Sequence, residues 1–278
     1  MRAVYFFIIA CTIAVHFSSC EQSDPEDVLD RIGDVVYFSG YAWDVKISDN
    51  VLLGPGPNYF SGYYEDVFVD EQGYLHMRIA EHGGKWYSSE VISQMAMGYG
   101  TYTFVVQGDL ENIPENITLG LFTWDNNTFF EEANSEVDIE FSKWGDTALD
   151  NTLHFSVQPV NFGPYYPERT NNPDTEPGDL IGISTHLFTW TDTLITWNSY
   201  RGDSEDPADL IATWSFDLDN PARVKNENGN SSEPIVIPAP GETTNARINF
   251  WLLPWVSTIP TDGLEQEVVV RRFAYTPL

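Results

Sequence analysis

The stretch NSEVDIEFSKWGD (residues 134–146) carries Glu136, Asp138 and Glu140 at strict every-second spacing. A β-strand points alternate side chains to opposite faces, so these three carboxyls share one face and Val137, Ile139 and Phe141 share the other. The apolar face reads as core. Like charges crowded on one sheet face repel and are normally avoided. The acidic face is therefore either simply wet or a place where paired carboxyls do chemistry.

Outward from this stretch the chain reads as β throughout. GYGTYTFVVQG, ITLGLFTW, NTLHFSVQP, HLFTWTDTLITWNSY, LIATWSFDL, ARINFWLLPW and QEVVVRRFAYTP are runs rich in aromatic and β-branched residues, separated by Gly, Pro, Asn and Asp. A further run, DEQGYLHMRIAEHGG, is a Gly turn followed by alternation. No segment longer than a turn or two has a 3.6-residue period, and no internal repeat is present. Many short strands over residues 33–278 predict a single all-β domain, a two-sheet antiparallel jelly-roll sandwich. Two long loops, 160–182 and 219–243, are rich in Pro, Asn and Gly. Loops of that length are functional or disordered.

Composition bounds the function. The 278 residues are 42% apolar and hold 13 basic against 42 acidic side chains, a formal net charge of −29. That balance argues against nucleic acid and against electrostatic docking on anionic lipid. It also disfavours strongly anionic substrates, since no local basic patch stands out in the sequence. MRAVYFFIIACTIAVHFSSC (residues 1–20) has the charged, apolar and small-residue regions of a secretory signal. Its FSSC end resembles a lipobox, with Phe17 where Leu is usual. On that reading Cys20 is lipidated and residues 21–32 form a polar spacer, so the membrane is reached only through a lipid anchor. Ordinary secretion with cleavage nearby is the alternative. Cys11 falls in the removed segment, leaving no cysteine pair for a disulfide or a Cys-based metal site.

In so acidic a chain the carboxyl spacing can arise by chance, so geometry has to carry the argument. Four residues of strand separate the Cα atoms of Glu136 and Glu140 by about 13 Å. Inward-reaching side chains then bring the carboxyls to roughly 5 Å, the separation of a retaining glycosidase. Asp138 between them can hydrogen-bond one and raise the proton affinity of the other.

EVDIE also resembles the E-x-D-x-E signature of glycoside hydrolase family sixteen, jelly-roll enzymes that cut β-glucans and marine galactans. The resemblance continues in family order over roughly residues 40–275. KWYSSEVISQ (85–94) is similar to the segment ending S-G-E-V-x-S, and GYGTYTFVV (98–106) to an F-G-Y-G-x-Y strand, with Met97 in place of Phe. HLFTWTDTLITW (186–197) resembles a family hairpin with Trp190 and Trp197 on its strands, and NFW (249–251) an N-L-W strand. It implies Glu136 as nucleophile, Asp138 as assistant and Glu140 as acid/base in an endo-acting β-glycanase needing no cofactor. The substrate is then a β-glucan such as laminarin or mixed-linkage glucan, or a galactan. NSYRG after Trp197 departs from the family pattern, as do Arg271 and Arg272, which fall where an Asp helps hold a structural calcium. No metal site is carried over.

A glycan groove needs aromatic faces, each contributing about 1–2 kcal/mol. Trp124, Trp144 and Trp251 are the leading candidates, with Trp43, Trp86, Tyr87 and Trp255 behind them. Trp190 and Trp197 read as structural. Glu90 is a subsite candidate. His154 and Gln158 share one face of their strand with Thr152 and Ser156, opposite the core residues Leu153, Phe155 and Val157. No second His or Cys stands at zinc-ligand spacing from His154. Asn58 and Tyr59 sit on a Gly/Pro loop that can rim the cleft. The competing readings are a non-catalytic glycan-binding surface lipoprotein of the same fold, and an envelope protein with no sugar site. A monomer whose partner is a polysaccharide is expected.

Overall fold

The computed structural model describes residues 35–160, 169–218 and 236–278. Cys20, the signal and the spacer lie outside these residues, as do parts of both long loops. Chain order gives β1 (Val35–Phe38), β2 (Tyr41–Val45), β3 (Tyr59–Phe60), β4 (Val67–Val69), β5 (Leu75–His82), β6 (Lys85–Ser93), β7 (Gly100–Asp109) and β8 (Ile117–Trp124). A single helical turn, α1 (Phe129–Glu132), precedes β9 (Val137–Ser142), β10 (Leu153–Val157), β11 (Thr170–Asn171), β12 (Ile181–Trp190) and β13 (Leu194–Arg201). The last strands are β14 (Leu210–Asp217), β15 (Asn245–Leu252) and β16 (Gln266–Pro277).

These strands form two layers of an antiparallel jelly roll. One runs β1-β2-β6-β15-β8-β9-β10-β11 and the other β4-β5-β16-β7-β12-β13-β14. Hydrogen bonding is continuous between them at the β5–β6 hairpin, where His82 pairs with Lys85. The short β3 pairs in parallel with β6, the one departure from the antiparallel pattern among the described strands. Of the first long loop, residues 170–171 belong to β11, against β10, and β12 begins at Ile181.

The alternation read from the sequence sets the inner faces. Val137, Ile139 and Phe141 of β9 and Leu153, Phe155 and Val157 of β10 are fully buried. They meet the other layer through aromatic contacts: Phe155 stacks on Trp197 at 6.2 Å, and Phe141 meets the His186 ring edge-on at 4.8 Å. Trp190 and Trp197 are wholly buried, as structural residues should be. Trp197 also reaches across the layers, its Nε1–H donating to the backbone carbonyl of Asp138 at 3.0 Å. The carboxylate strand is thus held from behind by an indole. His186 is also fully buried, between the hydroxyls of Ser199 (2.8 Å) and Ser184 (2.7 Å), and burial pushes it down to about 3, so it stays neutral.

Trp43 is a correction to the groove candidates. It lies in the core, fully buried, its Nε1–H donating to Phe38 O at 3.1 Å and its ring edge-on to Phe273. Its place on β2 faces it inward, where a large indole contributes most by leaving water. Trp86 packs against the same core from outside. Tyr87 and Tyr59 pack at a tilt of 45°, 5.8 Å between ring centroids, in a cluster with Tyr63 and His82.

Candidate active site

Strand register turns the outer face of the first layer into a grid. Glu140 on β9 stands opposite Gly120 on β8, Gly120 opposite Asn249 on β15, and Asn249 opposite Glu90 on β6. Lys46, just past β2, donates its backbone N–H to Glu90 O at 3.0 Å and extends the row to a fifth strand. The row beside it begins with Asp138, Phe122 and Arg247. Antiparallel partners point to the same side, so these rows line one surface. They floor a cavity of about 770 Å³ into which Glu136, Asp138 and Glu140 all face.

Trp124 walls one flank of the cavity, and Trp144, Trp251 and Trp255 the other. The Trp251 ring meets Trp144 at 6.5 Å and Trp255 at 5.9 Å, forming a run of three indoles. Trp144 has a left-handed backbone (φ 52°), unusual for a bulky residue, and its N–H donates to Ser142 Oγ at 3.0 Å. Such a conformation costs on the order of 1 kcal/mol, so surrounding contacts must enforce it. Gly145 follows with φ 83°, and a Cβ there would lie 2.5 Å from Val256 Cγ2. This crowded turn aims the Trp144 ring into the cleft.

The floor is open because Gly120 has no side chain. A Cβ at Gly120 would sit 2.5 Å from Asn249 Oδ1. That oxygen is buried and has no hydrogen-bond partner among the described residues. Glu90, 1% exposed, is held by Lys46 Nζ at 2.7 Å and by Arg247 Nη1 at 3.5 Å. Arg247 also lies over the Trp124 ring, 5.5 Å from its centroid.

Burial dominates the electrostatics of the three carboxyls. Glu136 is pushed well above the usual carboxylate range, first by burial, then by the charges of Asp138 and Glu140 and a hydrogen bond with Asp138; Arg247 opposes the rise. Glu140 is raised by burial and by the Asp138 charge, with no cation opposing it. Asp138 is pushed up to about 6 by burial, while hydrogen bonds from Ser156 Oγ (2.6 Å) and Gln158 Nε2 (3.5 Å) pull it down. Carboxyls crowded in this way resist losing their protons together, the property that acid catalysis draws on.

Of the residues named from the sequence, Glu136, Asp138, Glu140, Trp124, Trp144, Trp251 and Glu90 line this cavity. His154 and Gln158 do not. The His154 Nε2–H donates to Ser142 O at 3.0 Å and its ring backs Trp144 edge-on at 6.0 Å, so it supports the indole from outside the cleft. Gln158 is spent on Asp138 and on Val160 N–H, which it accepts at 2.6 Å. Thr152 donates to Leu110 O, so the polar row on β10 satisfies protein groups. Asn58 is buried and Tyr59 turns to Tyr87, so neither presents a rim. Lys46, Phe122, Arg247 and Asn249 line the cavity without having been singled out. Arg247 and Asn249 were readable by period-two counting back from Trp251; Lys46 carried no local signal.

The region where the family pattern has a calcium-binding Asp does not fit a cation, which takes oxygen ligands. Arg271 donates to Gln107 Oε1 and Tyr74 OH, both at 2.9 Å, and Arg272 to Asp203 at 2.8 Å, placing two positive charges there.

Neither a search against protein-family models nor one against curated proteins returned a match. Solved structures do match. A Bacillus licheniformis β-glucanase is 16% identical, with 89% of this chain and 100% of that one covered at a TM-score of 0.54. A glycoside hydrolase family protein from Mycobacterium thermorestibile is 15% identical, with 87% and 99% covered at 0.59. A Mycobacterium tuberculosis protein described as an immunostimulatory antigen and pseudo β-1,3-glucanase is 15% identical, with 84% and 91% covered at 0.54. The chain has the jelly-roll fold of these glucanases and glycoside hydrolase-like proteins, the fold that its resemblance to glycoside hydrolase family sixteen implies.

Proposed function

We propose that the protein is a retaining β-glycanase acting on a neutral β-linked glucan. The observation that carries this reading is three carboxyls with raised proton affinity opening into one indole-walled cavity. Glu136, the carboxyl with Arg247 nearby, is the nucleophile: its oxygen bonds to the anomeric carbon as the glycosidic C–O bond breaks. Glu140, with no cation to draw off its proton, gives that proton to the departing oxygen. It then takes a proton from the water that hydrolyses the glycosyl-enzyme, regenerating the Glu136 carboxylate. Asp138, hydrogen-bonded to Glu136, keeps the proton the two share in the resting site while Glu136 attacks as the carboxylate, and its charge state adjusts both glutamates. The indoles stack on sugar faces, while Asn249 and Glu90 meet hydroxyls.

A glycan-binding protein without activity is the second reading, favoured by the neighbour described as a pseudo-glucanase. Against it, a binder gains nothing from three crowded carboxyls on one floor. The N-terminal reading belongs to the same proposal: a monomer exported and tethered through Cys20, meeting polysaccharide outside the cytoplasm. Residues 21–278 should release reducing ends from at least one member of a panel of β-glucans and galactans, and Glu136→Gln should remove that release by orders of magnitude. Binding without cleavage across the panel would decide for the second reading.

A further inference from the structure

The cavity is lopsided. The carboxyls on and beside β9 lie at one end, and the floor runs from them across β8, β15 and β6 to Lys46, four strand spacings or about 19 Å away. There it meets a strap. Lys46 Nζ bonds both Glu90 and the carbonyl of Gly54, and Gly54 and Pro55 line the cavity at this end.

The strap is clamped down. Leu53 and Asn58 pair with each other across the turn. The buried Asn58 amide donates to Pro55 O and to Leu252 O, both at 2.8 Å, and its oxygen accepts from Ser88 Oγ at 3.1 Å. Gly56 has φ 59°, and a Cβ there would come within 3.0 Å of the Pro254 ring. The turn is thus seated on the ends of β6 and β15, and Lys46 latches it to the floor.

We infer that this cavity is a blind glycone site, so that the enzyme takes a polysaccharide by its non-reducing end and releases short oligosaccharides of fixed length. The inference rests on the glycanase reading and deepens it. Internal cutting needs a groove that a chain can enter and leave on both sides of the carboxyls. Among the described residues, those lining the cavity lie on one side of the carboxyls, and the lining ends at the strap. The direction follows from the order of bond changes. The leaving part must depart before water can reach the glycosyl-enzyme. A leaving part inside the blind end would be trapped behind the covalently held sugar, so the blind end holds the retained, non-reducing portion. Its length sets the product size.

The first test is product analysis on laminarin and mixed-linkage glucan. One dominant short oligosaccharide from the earliest time point, with little loss of viscosity, supports the inference; an early ladder of mixed lengths overturns it. The second test does not depend on turnover. Glu136→Gln is titrated by tryptophan fluorescence with laminarihexaose and a mixed-linkage hexasaccharide carrying a bulky group at one end or the other. A block at the non-reducing end should weaken binding by at least about tenfold, while the reducing-end block is tolerated. Equal binding, or none to either, overturns the blind site. End-selective binding by a wild-type protein that cleaves nothing would instead sink the hydrolase reading and leave the blind site standing. In Asn58→Ala and Lys46→Ala, freeing the strap should spread the product lengths; a product unchanged in both overturns its role.

Discussion

Replacing Asp138 by Asn isolates the cost of charge in the candidate site. Asp138 is 3% exposed and its carboxyl is pushed from 3.8 up to about 6. A rise of about two pH units corresponds to about 3 kcal/mol at 1.36 kcal/mol per unit. The sign follows from proton linkage. Between pH 3.8 and about 6 the folded chain binds more protons here than the unfolded chain, so stability falls as pH rises through that window. Below it both states are protonated and the cost vanishes. Asn keeps an oxygen to accept from Ser156 and cannot ionise. Relief of Glu136 and Glu140, each raised in part by the Asp138 charge, acts in the same direction. The variant should match the wild type below pH 4 and exceed it by about 3 kcal/mol at pH 7, roughly 6–12 °C in Tm for a domain of this size. Thermal melts followed by circular dichroism at the two pH values measure this directly. An equal gain at both, or a loss at pH 7, would refute the account of burial and crowding.

Four further outcomes are expected. Glu140→Gln should lose hydrolysis of polysaccharide by orders of magnitude while still binding it, read by parallel reducing-end and fluorescence assays. Gly120→Ala should push Asn249 from its place beside the floor, lowering kcat/KM with a stability loss of about 1–3 kcal/mol, seen in denaturant titration and steady-state kinetics. Trp144→Ala should weaken oligosaccharide binding by about 1–2 kcal/mol, close to tenfold, by calorimetry. His186, held neutral with a value of about 3, opposes folding as pH falls from about 6.5; His186→Gln should flatten the acid limb of the stability curve, and an unchanged limb would show that His186 does not set it.

The sequence made the β-strand pattern legible because period-two alternation is local. Val137, Ile139 and Phe141 turned inward and the three acids outward as that alternation requires. The same counting placed His154 on the right face of β10 but could not show that its ring turns to Ser142 O, a partner across the strand pair. Whether Trp43 packs or binds was left open for a related reason: that choice depends on the layer opposite, here Phe273 near the other end of the sequence. The Lys46 latch escaped altogether. Its partner Glu90 is 44 residues away, and nothing near Lys46 marks it as the end of a cleft.

The indole of Trp197 reaches through the core to the carbonyl of Asp138, so the carboxylate strand has no independence from the layer behind it. Heat inactivation and global melting should therefore be one event, with no interval in which a folded protein has lost its chemistry. Adapting this scaffold to hotter or colder surroundings would have to work through the rings packed around that indole, Phe155 and Trp214 among them, and not through the rim of the cleft.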